Sequence, residues 1–215
     1  MTKLYLIRHG ETTLNRLGRM QGQIDSFLTE KGHYQAKQTA SSLKAIKFSA
    51  IFSSDLGRAK QTTQDIINEL QLANLPYRTS SDLREVNFGF FDGLPCRAVW
   101  QEITNMTMYD GQDDIIKHGG MSEVRSLMLK KDKYKYAESY QSIIERWQHF
   151  VDGLSSLKTT ANILIVSHGT FIRTISEHYG AYVAGKENVP QNGGVTIFNM
   201  QQGRITLQKY NVQLE

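Results

Sequence analysis

Apolar residues follow two rhythms along this 215-residue chain. Short runs, apolar or alternating, have the length and β-branched character of strands. They are KLYLI (Lys3 to Ile7), SAIFSSD, PYRTS, NILIVS, VTIFNM and RITLQKY. Between them apolar positions recur every three to four residues, as on one face of a helix. The first such stretch, from Glu30 to about Ile46, carries Ala36, Ala40, Leu43 and Ile46 behind Thr29 as N-cap. The second, Leu56 to Leu70, follows Ser54 or Asp55 as cap. The third, about Glu138 to Leu157, places Ile143, Ile144, Trp147, Phe150, Val151 and Leu154 on one side. From Pro95 to Tyr136 the pattern degrades into mixed Met, Gly, Asp and Lys. VTIFNM and RITLQKY, joined by QQG, are expected to close the chain as a hairpin.

Strands alternating with amphipathic helices imply a mostly parallel central sheet with helices on both faces, a three-layer α/β/α architecture. Residues 1–215 are expected to form one domain, with residues 95–136 inserted after the third strand, partly helical and packed on the main body. A hydrophobic content of 40% and a charged content of 21% are ordinary for a globular protein. The net charge of +4 suits an anionic small substrate, but its scatter argues against nucleic acid. Cys96 is the only cysteine, which excludes an intramolecular disulfide and fits a reducing compartment. With no membrane-length apolar window and no leader-like start, the expectation is a cytoplasmic protein without membrane association.

In parallel sheets ligands bind at the carboxyl ends of the strands. Three turns are expected at that edge: Arg8-His9-Gly10, Ser53-Ser54-Asp55 leading to Arg58, and His168-Gly169. A neutral imidazole is a nucleophile toward phosphorus, and a guanidinium fork matches two phosphoryl oxygens at once. Phosphoryl transfer needs mainly positioning and charge stabilisation, with a carboxyl group to protonate the leaving oxygen. Asp82, Glu85 and Asp92 are candidates for that carboxyl, and composition does not choose among them. Two histidines and a carboxylate could also hold zinc. The neighbouring arginines would repel a cation, so neither metal nor cofactor is expected. His33, His118, His149 and His178 read as solvated or helix-packed. Lys130, Lys131, Lys133 and Lys135 read as a solvated face, with a lid for anionic substrate as the second reading. Trp100 and Met106, Met108, Met121 and Met128 either line the pocket or pack the 95–136 segment onto the body.

Several stretches occur in a telling order: LIRHGET, RMQGQIDSFLTEKG, SSDLGRAKQT, LREVNFGFFDG, VSHGTFIR and NGGVTIF. In these motifs the chain resembles the histidine phosphatase superfamily, which includes cofactor-dependent phosphoglycerate mutases and many small phosphatases. The resemblance spans Leu6 to about Phe198. It implies that His9 is the nucleophile, Arg8 and Arg58 are phosphate ligands, Glu85 is the proton donor and His168 is the second histidine. It further implies that Asn15, Gln21, Gly22, Gly169 and Thr170 contact phosphate or substrate. The competing role for Glu85 is a loop carboxylate paired with Arg84. Gln23 and Phe27 stand where many relatives have tryptophan and proline, so substrate contacts at that rim do not transfer.

The implied function is metal-independent hydrolysis of a small phosphorylated metabolite through a phosphohistidine. The alternative is a cofactor-dependent phosphoglycerate mutase, and a third reading is a non-catalytic phosphate-binding member. The region after Glu85 lacks the longer substrate-clamping pattern of the mutases, which favours the phosphatase.

Overall fold

The computed structural model describes residues 1–154 and 160–212. Its centre is a six-stranded sheet in the order β3-β2-β4-β1-β5-β6. The strands are β1 (Thr2–Arg8), β2 (Ala50–Ser54), β3 (Tyr77–Ser80), β4 (Asn162–Ser167), β5 (Val195–Gln201) and β6 (Arg204–Val212). β1, β2, β3 and β4 run parallel, whereas β5 is antiparallel to β1, and β6 to β5. The expected terminal hairpin is thus present, and its turn places Gln202 and Gly203 at positive φ.

Both faces of the sheet are covered, which is why the centres of β1 (Leu4 to Ile7) and β4 (Ile163 to Val166) are continuously apolar rather than alternating. Leu4, Leu6, Ile163 and Ile165 face one core, while Tyr5, Ile7, Leu164 and Val166 face the other. The second face carries α2 (Glu30–Ser42) and α3 (Gly57–Leu70), through Ala36, Ala40, Ala59 and Ile66. The first carries α4 (Cys96–Thr104), α5 (Gln112–Lys131), α6 (Tyr140–Gly153) and α7 (Gly169–His178). A single turn of helix, α1 (Thr13–Arg16), lies in the loop after β1. This is the three-layer α/β/α arrangement. Among the described residues no helix is long and apolar enough to cross a membrane.

Helix ends depart from expectation where the cap comes from elsewhere in the chain. α2 is capped by Thr29 as expected but ends at Ser42, four residues before Ile46. Neither Ser54 nor Asp55 caps α3. The Gly57 and Arg58 N–H groups instead donate to the Asp25 carboxylate, brought in from the loop before α2. Asp55 is committed to Arg84, at 2.6 and 2.7 Å. α6 begins two residues late because Ser139 is its cap, and its expected end at Leu157 lies outside the described residues.

The 95–136 segment is largely helical. Its pattern looked degraded because the backbone breaks at Gly120, where φ is +70°, and helical geometry restarts on a new face. The Glu177 carboxylate accepts the freed Met121 N–H at 2.9 Å. Val99, Ile103, Ile115, Met121, Val124 and Met128 then join the same core as Leu4 and Leu6. Met106 and Met108 are exposed. In the lysine run, Lys131 and Lys135 donate to backbone carbonyls, and the Lys133 ammonium lies over the rings of Phe90 and Tyr134.

Candidate active site

Strand register alone brings the two histidines together. Arg8 on β1 pairs with Ser167 on the neighbouring parallel strand β4. The next residue on each strand is a histidine, and the His9 N–H donates to the Ser167 carbonyl at 3.0 Å. The two imidazoles lie edge to face, with centroids 5.2 Å apart. Both are buried, His9 at 2% exposure and His168 at 0%.

Hydrogen bonds define the His9 tautomer. Its Nδ1 is 2.7 Å from the Gly10 carbonyl, so Nδ1 carries the proton and donates it there. Nε2 therefore keeps its lone pair, which accepts from the Arg58 Nε–H at 3.2 Å. Burial, reinforced by the charges of Arg58 and Arg8, pushes the His9 pKa well below the ordinary 6.5. Burial and the Arg58 charge do the same to His168. Both rings are neutral at pH 7, the state a nucleophilic imidazole requires.

The two arginines are used differently. Arg58 is fully buried. Beyond His9 its guanidinium donates to the carbonyls of Gly22 (2.7 Å), Ile24 (2.9 Å) and Gln21 (3.5 Å) and to the Asp25 carboxylate (3.1 Å). It lies behind His9 rather than on the cavity wall. Arg8 lines the cavity; its Nη1 donates to the Pro190 carbonyl at 2.6 Å. The Arg8 Nε and both His168 ring nitrogens are buried without a protein partner. Three orphaned polar atoms around one imidazole are costly in a folded chain unless the site serves a polar ligand. Gly169 makes room for this arrangement, since a Cβ there would sit 3.0 Å from Arg8 Nε.

Glu85 is buried, at 5% exposure, and is not paired with Arg84. Its oxygens accept the N–H groups of Thr170 (3.0 Å), Phe171 (2.8 Å) and its own neighbour Val86 (3.0 Å). It therefore caps α7, the helix that His168 introduces. The loop is tied to the sheet by the Ser167 hydroxyl, which donates to the Leu83 carbonyl at 2.8 Å. The rival carboxylates are occupied elsewhere: Asp82 accepts from His149, and Asp92 from the N–H groups of Gly22 and Gln23.

A cavity of about 180 Å³ opens over this cluster, lined by Arg8, His9, Asn15, Gln21, Glu85, Gly169 and Thr170. Arg58, His168 and Gly22 were expected there too, but they lie beneath or behind the wall. The Gly22 carbonyl accepts from Arg58, and a side chain at that position would collide with Asp92 and the Val86 carbonyl. Gln21 is spent on its own loop, accepting from Thr12 (2.6 Å) and donating to Ser26 (3.0 Å). Asn15 is held more loosely, by contacts of 3.3 to 3.4 Å to Thr12, Gln21 and Asn192.

Sequence reasoning missed Asp25 and Asn192 as site supports and Arg19, Met20, Phe88 and Arg173 as wall residues. Trp100, with its two alternative readings of pocket lining or packing, lines the cavity, and so does Cys96. Asp25 reaches Arg58 across 33 residues, and no local pattern marks such a pair. Asn192, whose amide donates to the His9 carbonyl at 2.9 Å, does carry a signal in the NGGVTIF turn.

The histidine phosphatase superfamily (branch 1) model matches residues 4–213, nearly the whole chain and every residue of the cluster above. The chain belongs to the histidine phosphatase superfamily. Its relatives within that family differ in reaction. The crystal structure of phosphoglycerate mutase from Bacillus anthracis str. Sterne is 29% identical and superposes with a TM-score of 0.89, over 98% of this chain and 92% of that one. Fructose-2,6-bisphosphatase TIGAR of Bos taurus is 30% identical, covering 99% of this chain and 94% of its own. A mycobacterial glucosyl-3-phosphoglycerate phosphatase, solved with VO3, is 26% identical with a TM-score of 0.69, over 98% and 99% of the two chains.

Proposed function

We propose that this protein hydrolyses phosphomonoesters of small metabolites, without a metal, through a phosphohistidine at His9. The observation that carries this reading is the neutral, Nδ1-protonated His9 on the cavity floor beside the orphaned polar atoms of Arg8 and His168. The substrate phosphoryl group lies over His9, with its oxygens on Arg8, His168 and Asn15. The Arg58 Nε–H turns from His9 Nε2 to a phosphoryl oxygen, which frees the lone pair for in-line attack. The N–P bond forms as the P–O bond breaks, and Glu85 passes a proton to the leaving alkoxide. Water then attacks the phosphohistidine and gives its proton to Glu85. Inorganic phosphate leaves, and His9 is restored.

A mutase would use the same groups but must keep water from the phosphohistidine. The cavity over His9 is open at its rim, where Arg19 is exposed and Trp100 half-buried, and this supports hydrolysis. The test is a panel of phosphate esters with added chelator. It follows phosphate release together with conversion of 3-phosphoglycerate to 2-phosphoglycerate. Release that persists in chelator is the expected result. Isomerisation with little release would overturn the hydrolase in favour of the mutase.

A further inference from the structure

The loop of residues 21–25 is pinned between two carboxylates. At one end the Gly22 and Gln23 N–H groups donate to Asp92, at 2.8 and 3.2 Å. At the other Asp25 reaches the first turn of α3. The carbonyls of Gln21, Gly22 and Ile24 take three of the four Nη hydrogens of Arg58. The fourth goes to Asp25 Oδ1 at 3.1 Å, which leaves the Nε–H turned to His9.

Asp25 does more here than cap a helix. Its Oδ1 accepts the backbone N–H of Arg58 at 3.3 Å as well as Nη1 of the same residue. One oxygen thus ties both ends of a long side chain that otherwise swings on its stem. The approach is close. Asp25 Oδ2 accepts the Gly57 N–H, and a Cβ on Gly57 would lie 2.8 Å from that oxygen. Arg58 is fully buried, and among the described residues Asp25 is the one carboxylate that touches it. The carbonyls bring dipoles; Asp25 brings the compensating charge.

This matters because of what Arg58 has to do. In the hydrolase reading its Nε–H passes from His9 Nε2 to a phosphoryl oxygen. The far edge of the guanidinium must stay fixed meanwhile, since a misplacement of about 1 Å can lower a rate on the order of 10²-fold.

We propose that Asp25 is a positioning residue that acts through Arg58, aiming its Nε–H at His9 in the resting site and at the phosphoryl group during transfer. The proposal rests on the hydrolase reading for its effect on rate, but not for its effect on His9.

Asp25→Asn separates positioning from capping. Asparagine is isosteric, keeps an oxygen for the N–H groups at the start of α3 and caps helices as well as aspartate. It brings no charge to the guanidinium. With any ester that the protein hydrolyses, kcat should fall about tenfold or more and KM should change less than about threefold. The melting temperature should stay close to that of wild type. In an Arg58→Met background the same substitution should change kcat less than about twofold, because the group it acts through is gone. Wild-type kcat in Asp25→Asn, or an equal loss in both backgrounds, would overturn the proposal.

The ¹⁵N resonance of His9 Nε2, assigned by its absence in His9→Ala, reads the same contact without turnover. In Asp25→Asn it should move toward its position in Arg58→Met, where no guanidinium donor faces the ring. A moved resonance in a protein that hydrolyses no ester would sustain the positioning and overturn the hydrolase. Hydrolysis with an unmoved resonance and unchanged kcat would sustain the hydrolase and overturn the positioning.

Discussion

The two most deeply buried guanidinium groups among the described residues sit in different regions, and only one of them is chemically poised. Arg58, at 0% exposure, has a carboxylate partner in Asp25, three loop carbonyls and the Nε2 of His9. Arg125, at 1% exposure, donates to the carbonyls of Glu138 and Asn87 and to the Met128 sulfur, and lies over Phe88. Lacking a contacting carboxylate, it pays for burial with a pKa lowered to about 10. Burial of charge is therefore not a mark of catalysis by itself; what the charge touches decides. Arg58 acts on a nucleophile. Arg125 stitches the loop after Glu85 to the start of α6, where Glu138 also accepts from Arg146 at 2.7 Å.

The contrast can be broken or sharpened by substitution. The largest effect should come from His9→Ala, which removes the nucleophile: turnover should fall on the order of 10³-fold or more, with an unchanged circular dichroism spectrum. Full activity in folded His9→Ala protein would end the mechanism. Next is Arg58→Met against Arg125→Met. The first should lower kcat about 10²-fold or more, because charge stabilisation at phosphorus is lost. The second should cost about 1–3 kcal/mol of stability, read by denaturant titration, with less than a tenfold loss of kcat. Equal kcat losses in the two variants would erase the distinction drawn here. Glu85→Gln should lower kcat about 10²-fold, and less for an activated aryl ester whose leaving group needs no proton.

Proton linkage gives a smaller and more specific signal. His9 and His168 resist protonation in the folded state, so at acid pH the unfolded chain binds more protons. Their contribution to stability is complete above about pH 6.5 and is lost as pH falls from there toward the folded-state values. Thermal melts should therefore show Tm dropping below pH 6.5, with a shallower slope in His168→Asn. An anion on His168 reverses the bias, so phosphate binding near neutral pH should take up protons, visible in calorimetry across buffers of different ionisation heat. The smallest effect should come from Cys96→Ala, within about twofold in kcat/KM. Burial raises the Cys96 pKa, and the thiol should alkylate slowly at pH 7.

Much of this site was legible beforehand because it is written in contiguous residues. A buried strand must stop where the sheet stops, so Ile7 followed by Arg8 and His9, and Val166 followed by Ser167 and His168, place both histidines on one edge. What was misread had a non-local cause. The cap of α3 was sought in Ser54 or Asp55 beside the helix, but Asp25 supplies it from the loop before α2. The partners of Arg58 are equally non-local: the carbonyls of Gln21, Gly22 and Ile24 hold its Nη donors and leave its Nε–H on His9. The helices of residues 95–136 were obscured by the reversal at Gly120.

The chain by itself determined its alternating strands and helices, the two-faced sheet and the identity of the charged residues at its edge. These follow from periodicity and from short motifs, where each residue acts through its neighbours in sequence. Tertiary structure alone decided that Glu85 caps α7, that Asp25 holds Arg58, and that α4 supplies an apolar wall opposite the phosphoryl floor. Those contacts join residues from 33 to 86 positions apart. Their pairing is set by how the layers pack and by which buried polar groups find partners, and neither leaves a local trace.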